Sequence, residues 1–170
     1  KIEKVSDAKS GTGGAIAGSG ADATSTSSAD VAASVGTGSS IGLSGNVAVK
    51  ADSSNRADSK SSGVAGSLVG VAVSLGKATV GGPTTASLDS SVTTSGDVTV
   101  QATGKNSADV KTFAFSIGLG AAGAGGSAIA EVTDKANVEA TVGSGSTITT
   151  GGDVLVKATG DNDAKVQSDA

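Results

Sequence analysis

The chain has 170 residues with a formal net charge of −4, and it contains 27 Gly, two Phe, a single Arg and no Cys, His, Met, Trp or Tyr. The lack of Cys and His excludes disulfides, thiolate or imidazole metal sites and the nucleophilic triads that need those side chains. One Arg in an acidic chain argues against nucleic-acid binding, and no apolar run reaches the roughly 20 residues that span a bilayer. We therefore expect neither a nucleic-acid partner nor membrane insertion.

The segment before Gly45 carries the least regular pattern. It contains the small-residue run GTGGAIAGSGADA at 11–23 and ends in a Gly/Ser-rich turn segment at 36–45. Charged residues make up only 16% of the chain, and Val, Ile and Thr alternate in order, so we expect strands rather than disorder. The chain starts in mid-pattern, and we expect it to be a piece of a longer protein.

The first clear strand is GNVAVKADSSNRADSK at 45–60, and near copies of it occur at 96–111 and 152–167. Two valines hold their places in each copy while the residue between them varies, which is the two-residue period of a strand with one constant face. Each copy opens at a turn glycine, namely Gly45, Gly96 and Gly152, so the two steps between copies are similar but not equal. We predict that the constant face is buried and consists of Val47, Val49, Val98, Val100, Val154 and Val156.

An Asn follows nine residues after the leading Asn or Asp of each copy. A side-chain amide that stacks on its own copies can hydrogen-bond the amides above and below it and nearby backbone groups. We therefore predict an asparagine ladder formed by Asn55, Asn106 and Asn162.

Alanines in similar local contexts recur at intermediate positions and suggest a shorter period within each copy. A unit of that size cannot bury its valines alone, but it can do so by stacking on its neighbours. We predict an all-β fold, a parallel β-helix (β-solenoid) with coils of about 21–29 residues, right-handed by general preference. A β-sandwich of similar hairpins is the alternative. The alanines of this series are Ala8, Ala29, Ala57, Ala86, Ala108, Ala136 and Ala164.

Gly/Ala-rich stretches lie between the copies, at 64–76 and 113–130. In both stretches, large apolar residues alternate with Gly, Ala and Ser, so one face of the strand is bulky and the other is flat. A flat face fits a tight interior, which we favour, or a lateral contact between molecules. Residues 1–170 then form one segment, with repeat copies near 1–44, 45–95, 96–151 and 152–170.

Signals for chemistry are weak. The string GLGAAG at 118–123 matches a dinucleotide-binding pattern but lacks the helix that such a site opens. The oxygen-rich segment GDNDAK at 160–165 lacks a calcium-loop motif, so a structural calcium ion has no motif to support it, and we expect no cofactor. The acidic residues fit solvated positions better than a catalytic group. They include Asp97, Asp109, Glu131, Asp134, Glu139, Asp153, Asp161 and Asp163.

The strands of the form GDVxVxA and the runs GLGAAGAGGSAIAEV and ANVEATVGSG resemble the repeats of large secreted bacterial proteins, the filamentous-haemagglutinin-like and leukotoxin-like adhesins. The resemblance covers essentially the whole chain. It implies a β-helix, a place outside the cell or on its surface, and a role as a stalk, fibre or adhesive shaft, with no catalytic residues to transfer.

We therefore expect a non-enzymatic structural segment of a bacterial surface protein, whose partners are other copies, neighbouring repeats of its parent chain, or a host or environmental surface or glycan. Two alternatives stay open. One is a carbohydrate-active β-helix enzyme, because such enzymes use groups of Asp with basic residues. The other is an ice- or surface-binding module, for which the aligned Thr93 and Thr149 are a short Thr array that Gly42 interrupts.

Overall fold

The computed structural model describes residues 1–170 and contains strands but no helix. Alternation of Val, Thr and Ala favours extended backbone, and Gly, Asn or Asp residues lie at most of the bends between strands. The strands are β1 (Ile2–Ser28), β2 (Val31–Val35), β3 (Ser40–Leu43), β4 (Val47–Gly81), β5 (Thr84–Leu88), β6 (Ser91–Thr94), β7 (Val98–Val132), β8 (Val138–Val142), β9 (Thr147–Thr150) and β10 (Val154–Asp169).

The strands form three sheets, in which every pairing is parallel. Sheet A has the order β1-β4-β7-β10, sheet B the order β2-β5-β8, and sheet C the order β3-β6-β9. The chain passes through A, B and C in the same order three times. We call one passage a rung, so that rung 1 spans 2–43, rung 2 spans 47–94, rung 3 spans 98–150, and β10 begins a fourth. This all-β, parallel arrangement is compatible with a parallel β-helix.

The length of a rung follows from the pairing of the asparagines, because Asn55 pairs with Asn106, and Asn106 pairs with Asn162. The first two are separated by 51 residues and the last two by 56 residues, so the shorter coil predicted from the alanines is wrong. The intermediate alanines do not stack on the main ones, since Ala86 pairs with Ala140 and not with Ala57. Small residues recur because both walls of a thin interior need them, and their spacing therefore does not report the length of a rung.

Rung 3 is longer than rung 2, since the step to the next rung is 56 residues in place of 51 residues. One extra residue forms a bulge in β7, where Leu119 and Gly120 lie opposite Leu68. Two more lengthen the β7–β8 connection, and two lengthen the β8–β9 connection. The ladder of sheet A therefore keeps its register on both sides of the bulge, because connections and bulges absorb the insertions.

The long strands of sheet A fold back on themselves. A straight strand would hold Ser61 and Ser74 about 40 Å apart, yet their Oγ atoms are 2.8 Å apart. In β1 the Oγ atoms of Ser10 and Ser19 are 2.5 Å apart. Each long strand therefore has an outgoing half, a reversal and a return half. We call the outer, charge-free part the arm, which consists of residues 10–21, 61–76 and 112–130.

Two kinds of interior result. At the base, where sheets A, B and C meet, Val98, Val100 and Leu88 are fully buried in a cluster of branched side chains. In the arm, the two halves enclose only small residues such as Ala65 and Ala72. The base has a conventional apolar core, whereas the arm is a thin double layer.

The predicted inward valines divide by rung. Val47, Val49, Val98 and Val100 are buried. Val154 and Val156 pair with the corresponding valines of β7 but are 49% and 44% exposed, so their predicted burial is wrong in this structure. The physical reason is that β10 has a neighbouring strand on one side only.

Candidate interaction surface

The three predicted asparagines lie in register on adjacent strands of sheet A. Nδ2 of Asn55 donates to Oδ1 of Asn106 over 3.2 Å, and Nδ2 of Asn106 donates to Oδ1 of Asn162 over 2.8 Å. Asn55 and Asn106 are 2% and 3% exposed, so their amides are removed from water. Each amide therefore satisfies the next one, and the row connects three rungs.

A second row of contacts joins the rungs at the bend that leads into sheet A. The backbone N–H of Asp97 donates to Oδ1 of Asn46 over 2.8 Å, and that of Asp153 donates to Oδ1 of Asp97 over 2.9 Å. Each side chain thus accepts from the backbone of the next rung. The sequence marks these positions as the leading residue of each copy, but their role follows only from the stacking.

The turn glycines Gly45, Gly96 and Gly152 lie in the same bend. A Cβ on Gly96 would collide with Oδ1 of Asn46 and lie 2.6 Å from the carbonyl carbon of Gly45. A Cβ on Gly152 would likewise collide with Oδ1 of Asp97. These two positions require glycine because the rungs approach closely there, and not because of their backbone angles.

A row of charged side chains lies on the outward side of the outgoing half of sheet A, next to the arm. We call this row the charged strip. Nε of Arg56 is 2.8 Å from Oδ2 of Asp58, and its Nη2 is 3.0 Å from Oδ2 of Asp109. Asp58 and Asp109 are register partners, so Arg56 offsets the repulsion of two stacked carboxylates. The strip consists of Glu3, Arg56, Asp58, Lys60, Asp109, Lys111, Asp163 and Lys165.

Two basic groups of the charged strip, Arg56 and Lys165, are held in their charged form by a neighbouring carboxylate. The hydrogen bond to Asp58, followed by its charge, raises the pKa of Arg56 above its ordinary value. The hydrogen bond to Asp163 raises the pKa of Lys165 in the same way. A raised pKa on a basic group adds stability that is present at neutral pH and disappears only as the pH rises through that pKa, so Arg56 keeps its stabilising charge at neutral pH.

The other acidic residues and motifs are distributed over the fold. Asp97 and Asp153 lie at the bends, and no three acidic side chains are grouped so that they could hold a metal ion. Within GDNDAK, Asn162 belongs to the asparagine ladder and Asp163 forms an ion pair with Lys165. GLGAAG lies at the reversal of β7, with a strand on both sides and no helix after it.

The arm buries its small side chains and exposes its large ones. Ala65, Ala72 and Ala114 are at most 1% exposed. Phe113 and Phe115 on the outgoing half are each 44% exposed, with ring centroids 6.3 Å apart. The return half exposes a row of large apolar residues, Val69, Val71, Val73 and Leu75. The small face predicted from the alternation is thus the inner one, and the apolar surface on the outside is an unusual feature for a soluble β-fold.

Comparison with protein-family models, with curated proteins and with solved structures finds no match to this chain. The structure contains no helix of a length and apolar character that would allow it to cross a bilayer. The features available for a functional argument are therefore the stacked ladders, the charged strip and the apolar arm. The sequence analysis did not predict that the long strands of sheet A fold back on themselves. The available signal was the charge-free run in each copy, because these runs lie at matching positions of the repeat.

Proposed function

We propose that this chain is a structural, non-enzymatic segment of a large bacterial surface protein, located outside the cell, where it forms part of an adhesin shaft or fibre. We also propose that its fold is a right-handed parallel β-helix with one turn per rung. The observation that supports both proposals is the register of sheet A, in which the same Asn recurs at the same place in three successive rungs.

A stack of rungs gains stability from the contacts between neighbouring rungs. Each rung presents an edge of backbone N–H and C=O groups that the next rung satisfies, so stability grows with the number of rungs. The asparagine ladder and the bend row each add one contact per rung at a fixed position. A stack of this kind extends along one axis by about 4.8 Å for each rung, which suits a role as a spacer or shaft.

The experiment that tests the shaft proposal is mild proteolysis of intact cells that produce the parent protein, followed by mass spectrometry of the released peptides. We expect peptides from residues 1–170 in the released fraction before lysis, while a cytoplasmic marker protein stays inside. Release of this chain only after lysis would contradict the proposed location.

A second measurement addresses the shaft itself. We expect electron microscopy of a chain carrying two joined copies of residues 1–170 to show rods longer than those of the single chain, by about 4.8 Å for each added rung. Compact particles whose thickness increases instead of their length would contradict a linear shaft.

One observation favours a second candidate, a protein that binds or cleaves acidic polysaccharide. Asp58 and Asp109 converge on Arg56 in an open groove that also contains Lys60 and Lys111. Assay of reducing-end release from an acidic polysaccharide, with Asp109→Asn as the control, distinguishes the candidates. Turnover that the control variant loses would favour the enzyme, and we expect no turnover.

A further inference from the structure

The return half of the arm has a ridge with a groove on either side. The ridge is Val71 and Val73 of β4, which are 52% and 40% exposed. Their register partners in β1 are Gly18 and Gly20, and their partners in β7 are also glycines. A raised row of branched side chains therefore lies between two rows that have no side chain.

Neither the backbone nor the packing of this chain requires those glycines. None of the four has a positive φ. A Cβ added to any of them would meet no atom within 4 Å. They contrast with Gly63 and Gly76, whose added Cβ atoms would lie 2.7 Å and 2.6 Å from atoms of this chain. The four glycines are Gly18, Gly20, Gly123 and Gly125.

We propose that this face is a homotypic interface, in which the Val71–Val73 ridge of each copy inserts into one of the two glycine grooves of a second copy. The ridge and each groove are neighbouring strands of one sheet, about 4.8 Å apart. A twofold axis that runs between them along the strands superimposes each ridge on the other copy's groove. The surface is therefore complementary to itself, as an isologous dimer requires.

Opposite charges lie beside both grooves, because Asp22 of β1 and Glu131 of β7 are each exposed two residues from the register partner of Lys77. Asp22 and Lys77 point outward at the base of this face, and neither forms an ion pair within the chain. Lys77 pairs in register with Thr24, two residues beyond Asp22. A twofold axis beside either groove brings Lys77 of each copy within reach of the acidic residue at that groove in the other.

The size of the surface sets the strength of the contact. The exposed row from Val69 to Leu75 with its flanking glycines offers on the order of 400 Å² per copy, about half of the area that each partner buries in a standard interface. We accordingly expect the dimer of residues 1–170 to be weak and reversible. The inference does not depend on the shaft proposal, because it concerns a lateral face and not the ends of the stack.

Sedimentation velocity of the chain from about 10 μM to 1 mM tests the interface. We expect reversible dimers of the unmodified chain. Val71→Lys places a charge on the ridge and weakens association at least about tenfold. Val64→Lys, on the outer side of the outgoing half and thus on the opposite face of the arm, is the matched control and leaves association unchanged.

Two glycine substitutions test which groove is used, and neither removes a contact within the chain. Gly18→Val fills the β1 groove and Gly123→Val fills the β7 groove, so we expect one of the two variants to abolish association and the other to leave it intact. A monomeric unmodified chain, equal effects of Val71→Lys and Val64→Lys, or unchanged association of both glycine variants would each overturn the proposal. Far-UV circular dichroism establishes that every variant compared is folded.

Discussion

Among single residues, Asn106 connects the rungs on both sides of its own, because it is the central member of the asparagine ladder. Asn106→Ala removes both amide–amide bonds and leaves the buried Nδ2 of Asn55 with only a 3.4 Å contact to the carbonyl of Gly81. Unpaired buried polar groups are costly, so we expect the free energy of unfolding in urea to fall by about 2 kcal/mol or more.

The matched control for that variant is Asn162→Ala, which removes one bond at the end of the same ladder. Because Asn162 is exposed, water can replace its bond to Nδ2 of Asn106, and we expect the free energy of unfolding to fall by about 1 kcal/mol or less. Equal losses for the two variants would mean that the ladder does not act as a connected row.

Gly96 tests the close approach of rungs at the bend. Gly96→Ala puts a Cβ against Oδ1 of Asn46 and the backbone of Gly45, so we expect a loss of about 2 kcal/mol in the free energy of unfolding. Gly42→Ala is the control, because a Cβ at that position meets no atom within 4 Å. The account predicts no loss for Gly42→Ala, and a neutral Gly96→Ala would contradict the observed stacking at the bend.

Arg56 tests the charged strip. Arg56→Gln leaves the stacked carboxylates of Asp58 and Asp109 without their counter-charge. Because the guanidinium side chain is 44% exposed, we expect a loss of only about 1 kcal/mol, which added salt reduces. Arg56→Lys keeps the charge and should recover part of the loss. Thermal unfolding at low and high salt measures both effects, and a salt-independent loss would indicate a packing role instead.

The sequence predicted these residue positions unequally well. The asparagines were visible because they repeat at the same offset in each copy. The bend row was not, because Asn46, Asp97 and Asp153 look like ordinary turn residues until the rung above is in place. Arg56 gave no repeat signal at all, since Ser107 and Asp163 occupy its position in the following rungs.

At the scale of elements, the arm has its small side chains inside. Ala72 is fully buried, and its neighbour Val73 on the outer side is 40% exposed. Ala72→Leu forces a large side chain into a double layer with no room for it, so we expect a loss of about 3 kcal/mol in the free energy of unfolding. Val73→Thr should change it by less than about 0.5 kcal/mol. Urea unfolding of both variants checks this, and the opposite ranking would mean that the arm is turned the other way out.

Alternation in the sequence predicted the strands of the arm but not which face is buried. A period of two separates two faces without saying which one faces a partner strand. The usual rule that large apolar residues lie inside gives the wrong answer here, because Gly63 and Gly76 must let the two halves approach closely. The fold-back itself was missed, since no Pro, Asn or Asp marks the reversal near Leu68.

At the scale of the whole molecule, one rung is one full repeat of the sequence. The spacing of the copies was read correctly from the sequence, and the division of each copy into two coils was wrong. One long rung is favoured over two short coils because the extra residues form the arm. The two halves of the arm bury their small side chains against each other, so these side chains need no second coil to cover them. The variable spacing between copies is also explained, because the connections and one bulge absorb the added residues.

The measurement that tests this claim most directly is the distance between two spin labels, for which the absence of natural Cys gives a clean background. Lys60 and Lys111 are register partners in adjacent rungs. Labels on Lys60→Cys and Lys111→Cys should show the strong dipolar broadening of a pair whose backbones lie about 5 Å apart.

The comparison pair is Lys60→Cys with Asp89→Cys. Their separation along the chain equals the length of the shorter coil, so a stack of such coils would place these two labels next to each other. In the structure, Asp89 follows Leu88, which packs in the base cluster with Val49, eleven residues before Lys60. The account therefore predicts a separation of about 35 Å for this pair and a short distance only for the pair at 60 and 111. A short distance between 60 and 89, with a long one between 60 and 111, would contradict it.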